Sequence, residues 1–92
     1  MHIELAVYHQ KFIIDLFRGY RLVAEIIKKL SQSSTMHPDN DEYIECEVGR
    51  DSLEDLVGEL SYEANHNRSK IISEQACEAA ESLELYLSYK VG

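Results

Sequence analysis

Several things are scarce in this chain, and each scarcity narrows what it does. There are two cysteines, Cys46 and Cys77, and no CxxC pair. Free thiols in a reducing compartment are therefore expected rather than a disulfide framework. No apolar run approaches the length of a membrane span. Glu4, His9, Lys11 and Asp15 interrupt the apolar residues near the start, so no signal peptide is expected. Cytoplasmic localisation follows, with no membrane as partner. A Gly-rich phosphate loop, a metal-ligand cluster and a nucleophile motif are all missing, as are internal repeats and low-complexity tracts. No catalytic residue, cofactor or metal is expected on these grounds, and the chain reads as a non-enzyme.

The middle of the chain lacks positive charge. Between His37 and His66 there are ten carboxylates and one cation, Arg50. The preceding residues carry three acids against five bases, and those after His66 carry four against three. The chain totals −8 at neutral pH. Such a field repels nucleic acid and anionic membrane and draws basic partners.

Ninety-two residues make one domain, over 1–92, near the lower limit for a self-sufficient core. Apolar content of 45% is that of a folded chain. Ile13, Leu16, Tyr20, Val23, Ile27 and Leu30 alternate steps of three and four, which predicts an amphipathic helix over about 3–31. Glu4, Gln10, Lys11 and Asp15 fall on its polar side. A competing reading makes Ile3, Leu5 and Val7 a short strand before a helix starting near Gln10. Residues 32–50 read as loop or extended chain. Within them, Ile44, Cys46 and Val48 alternate with Tyr43, Glu45 and Glu47, the pattern of a half-buried strand at 43–48. Pro38 with the acids after it also suits a helix start.

A helix is predicted over about 52–65, begun by Asp51 with Glu54, or Ser52 with Asp55, in a capping box. Its apolar face is Leu53, Leu56, Val57, Leu60 and Ala64. A last helix runs over about 70–90, capped by Ser69 or Ser73, and buries Ala76, Ala79, Ala80, Leu83 and Tyr86. The expected fold is mainly all-α: a three-helix antiparallel bundle with a long N-terminal helix. An α+β fold with a minimal two-stranded sheet is the alternative.

Four features invite a functional reading. Asp55, Glu59, Glu63 and His66 share one stripe, and like charges four apart weaken a helix by about 0.2–0.5 kcal/mol a pair. Recognition of a basic surface would offset that. So would pairing with Arg18, Arg21, Lys28 and Lys29 of the first helix. Ile3, Val7, Ile14, Leu22 and Ile26 form apolar surface beyond one stripe, which predicts self-association as a homodimer. Glu63 and His66 match half of a di-iron motif, which only a dimer could complete. His9, central to the first apolar face, reads as a buried or rim histidine.

The function expected from these features is a non-catalytic protein–protein interaction module, regulatory or accessory, binding a basic protein surface. One alternative is an acidic inhibitor of the immunity-protein or antitoxin type, directed at a basic effector such as a nuclease. Another is a small metal-dependent helical enzyme using Glu63 and His66.

Overall fold

A computed structural model describes residues 1–33 and 42–88. The chain runs β1 (His2–Ala6), α1 (Val7–Leu16), α2 (Ala24–Gln32), β2 (Tyr43–Glu47), α3 (Arg50–His66) and α4 (Lys70–Ser88). It is mostly helical with one small antiparallel sheet. The stretch around Asp39 expected as loop, Tyr89 and the expected helix end near Lys90 lie outside the described residues.

The long N-terminal helix does not form. Its first turn is a strand and its remainder is two helices. The strand arises because His2–Ala6 alternates: Ile3 and Leu5 are buried while His2 and Glu4 face outward. That pattern serves a pleated ladder as soon as a partner with matching alternation exists. Tyr43–Glu47 supplies it, burying Ile44 and Cys46. The register sets Ile3 against Cys46, Glu4 against Glu45 and Leu5 against Ile44. Two further bonds extend the ladder: the Val7 amide donates to the Glu42 carbonyl at 2.8 Å, and Val48 to Met1 at 2.9 Å. The outer edge of β1 is clipped by Tyr86 of α4. Its hydroxyl accepts from the Glu4 amide at 3.0 Å and donates to the Glu4 carbonyl at 3.3 Å.

The break between α1 and α2 has a steric cause and a geometric one. Gly19 sits at φ 86°, a conformation costly for any residue with a Cβ. A helix over 3–31 would also be about 43 Å long, whereas α3 and α4 reach only about 26–29 Å. Its apolar stripe would outrun its cover. Folding back at Gly19 instead buries Ile13 and Phe17 on one side of the turn and Val23, Ile26 and Leu30 on the other. Tyr20, expected inside, is exposed; its ring meets Phe17 edge-on at 5.2 Å. Gln10, expected on the polar side, is buried. Its amide donates to the Leu30 carbonyl at 2.6 Å, which also accepts the Ser33 amide, and to the Ser33 carbonyl at 3.2 Å, tying α1 to the end of α2.

Helices α3 and α4 form an antiparallel hairpin. The capping box expected at Asp51 or Ser52 is not used. Gly49 is the N-cap of α3, and no side chain bonds the first amides. The α4 end does follow its sequence signal. Asn67 Oδ1 accepts from the Ser69 amide at 2.8 Å, and Ser69 Oγ accepts from Ile72 at 3.3 Å. Ser73 Oγ then donates to the Ala64 carbonyl, stitching the two helices. Ala76, Ala79 and Ala80 are buried and keep the helices close, while Leu53, Leu56, Leu60 and Leu83 fill the centre.

Two measurements test this architecture. Leu60→Ala and Leu83→Ala should each cost about 2–5 kcal/mol in urea unfolding, because both side chains are fully buried. The glycines should respond with opposite signs. Gly19→Ala meets no atom within 4 Å yet carries positive φ, so it should destabilise by about 1–2 kcal/mol. Gly58→Ala, inside α3 with the same open space, should stabilise by about 0.5–1 kcal/mol.

Candidate functional site

The acidic stripe is brought to the surface of α3 by helical spacing. Asp55 and His66 are exposed, and Glu59 and Glu63 are half-buried. Glu63 Oε2 accepts from Asn67 Nδ2 at 2.9 Å, a local contact at the helix end. His66 Nδ1 lies 3.0 Å from the Tyr62 carbonyl, so it carries the proton there, and the two rings stack at 4.2 Å. Glu63 and His66 are thus held by separate local contacts, and among the described residues no third metal-ligand side chain joins them.

The basic residues expected to neutralise the stripe do not reach it. Arg18 pairs with Asp15 at 3.1 Å, and among the described residues no ion pair joins Arg21, Lys28 or Lys29 to α3. Arg50 pairs with Glu54 at 3.2 Å and donates to the Leu87 carbonyl at 3.2 Å. Asp55 and Glu59 have no salt bridge among the described residues.

Helix α4 carries exposed acids of its own, Glu74, Glu78, Glu81 and Glu84. Cys77 senses this field. Its exposed thiol lies 3.6 Å from Glu81 Oε1, and the Glu81 charge, with the neighbouring glutamates, raises its pKa. It stays a protonated thiol, the opposite of an activated nucleophile. Cys46 is buried and free.

The five residues expected to drive self-association are split by the turn. Ile3 and Ile26 are 0% and 1% exposed and belong to the core of one chain. Val7 and Ile14 are half-buried against that core. Leu22 alone stands out, at 60% exposed. A dimer built on the expected strip would have to take core residues from both subunits.

A second constellation lies where β1 passes into α1. A groove of about 550 Å³ is lined by Ala6, Val7, Tyr8, His9, Lys11, Glu42 and Tyr43. Tyr8 Oη donates to Glu78 Oε2 at 2.6 Å, and His9 Nε2 is 3.8 Å from the same oxygen. The Tyr8 and His9 rings lie 4.3 Å apart. His9 is 8% exposed, as a histidine on an apolar face should be, and its Nε2 makes no hydrogen bond. Burial lowers its pKa, against a weaker upward pull from Glu78. The Glu78 contact raises that of Tyr8. The lining sets the phenol of Tyr8, the imidazole of His9, the amine of Lys11 and the carboxylate of Glu42 beside the apolar Ala6 and Val7. Periodicity marked His9 but not Tyr8 or Glu78, since nothing local in the sequence links residues seventy apart.

Among the described residues no helix is long and apolar enough to cross a membrane. Comparison with protein-family models, with characterised proteins and with solved structures finds no match to this chain.

The His9 environment makes a signed prediction. Its folded pKa is below the free value of about 6.5, so the neutral ring's contribution to stability is complete above that pH. It is lost progressively as pH falls toward the folded pKa. An NMR titration of the imidazole should give a midpoint under 6.5. Glu78→Gln removes the upward pull and should lower that midpoint further.

Proposed function

We propose that the protein is a non-catalytic interaction module whose acidic helical hairpin binds a basic surface on another protein, in a regulatory or accessory role. The observation that carries this reading is the uncompensated charge of α3 and α4. Residues 50–88 hold nine carboxylates against Arg50, Arg68 and Lys70. The central acids Asp55 and Glu59 have no salt bridge among the described residues. Exposed charges of one sign on a rigid two-helix frame steer association with the opposite sign and specify orientation.

A second reading falls within the same chemistry. Carboxylates repeated at one helical turn stand about 5–6 Å apart along a helix. A row of such charges suits a groove built to hold phosphates, and therefore an inhibitor of the immunity or antitoxin type acting on a nuclease. The two readings differ in what the captured partner does, not in the surface used.

The test begins with affinity capture of the native partner and its identification by mass spectrometry. Association kinetics follow, with the triple variant Asp55→Asn, Glu59→Gln, Glu63→Gln. The on-rate should fall in that variant. In the unmodified protein it should drop steeply as the Debye length shortens from about 10 Å at 0.1 M salt toward about 3 Å at 1 M. Thermal stability should hold or rise slightly, because like-charge repulsion is relieved. Unchanged association together with lost stability would refute the recognition reading. Loss of nuclease activity on binding would select the inhibitor.

A further inference from the structure

The corner where the chain turns from α1 into α2 is a second polarised surface, opposite in sign to the hairpin. A pocket of about 270 Å³ opens there, with Phe17, Tyr20 and Ile27 as apolar lining and Arg21 and Lys28 beside them. Both cations are exposed, and among the described residues neither enters an ion pair. An apolar hollow flanked by unpaired cations suits an apolar side chain that has carboxylates beside it.

Helix α4 presents such a side chain. Leu85 is 68% exposed, and within one chain it does not line the pocket. Glu81 lies one turn before it and Glu84 directly precedes it, and both are exposed. Ile71 is as exposed, but it follows Lys70 directly, with Arg68 behind, and would bring like charge to the pocket. We propose that the pocket between α1 and α2 docks a second copy of this chain, which seats Leu85 in it and sets Glu81 and Glu84 against Arg21 and Lys28.

The contact is of the helix-in-groove kind, with one apolar anchor and charges to orient it. Two copies related by a two-fold axis make it twice, once in each direction. The net charge of −8 opposes self-association at long range. At physiological ionic strength, however, the Debye length is about 8 Å, so distant charges are largely screened while those in contact are not. The local match of opposite charges therefore decides. The acids used are those of α4. Asp55 and Glu59 of α3 take no part, so the contact does not rest on recognition of a basic partner.

The experiment measures the mass of the full chain by sedimentation equilibrium at about 0.15 M salt. A mass that rises above the 10.6 kDa of one chain as concentration increases is expected. Leu85→Glu should raise the concentration needed by about tenfold or more, as should Arg21→Glu combined with Lys28→Glu. Glu81→Lys with Glu84→Lys should be equally impaired alone. Mixed with the Arg21→Glu, Lys28→Glu chain, it should associate again, because one contact is then native and the other has both signs reversed. The Asp55→Asn, Glu59→Gln, Glu63→Gln chain should associate as the unmodified chain does. Circular dichroism checks the fold of each variant, and Arg21, Lys28, Glu81, Glu84 and Leu85 are all exposed. The proposal is overturned if the unmodified chain stays monomeric up to about 1 mM. It is equally overturned if association survives Leu85→Glu undiminished, or if the two charge-reversed chains fail to pair.

Discussion

The pairing of β1 with β2 is the constraint from which the remaining geometry follows. It joins residues about forty apart and removes the first residues of the chain from any helix. With Val7 bonded to Glu42, the start of α1 is set where the ladder ends. That direction carries Tyr8 and His9 to Glu78, and the outer edge of β1 receives Tyr86. Both contacts come from α4, so the hairpin is seated on the N-terminal half by polar groups at two well-separated points. Exposed edge strands invite pairing with other chains, and a tyrosine hydroxyl at the centre of β1 is one way to blunt an edge.

The hairpin carries opposing energies of different size. Repulsion between carboxylates one turn apart costs a few tenths of a kcal/mol per pair. Burial of a leucine contributes about 1.5–3 kcal/mol, and Leu53, Leu56, Leu60 and Leu83 are all fully buried. The apolar side of the hairpin therefore carries the charged side with ease, and the acids are not constrained by stability. A surface free of that constraint can be shaped by recognition. The raised thiol pKa of the exposed Cys77 reflects the same field.

Elements governed by local chemistry were legible in the sequence. The apolar spacing of 53–60, the Ser69 cap and the alanines of the last helix each required only neighbours within a few turns. The alternation at 43–48 pointed to a strand, although Pro38 and the acids after it also suited a helix start. The acidic stripe was legible for the same reason, because Asp55, Glu59, Glu63 and His66 lie on one continuous helix.

What the sequence by itself determined is the helical hairpin and its charged outer side, since each follows from periodicity within a single segment. Only the tertiary structure decided whether residues 2–6 would be helix or strand, because the same alternating apolar residues serve both and the choice belongs to β2. It likewise decided the break at Gly19, which depends on how much surface α3 and α4 can cover. The burial of Ile3, Ile26 and Gln10 follows from that fold-back. Tyr8 with Glu78, and Glu4 with Glu45, are juxtapositions of distant residues, and no spacing along the chain encodes a meeting that only the assembled core brings about.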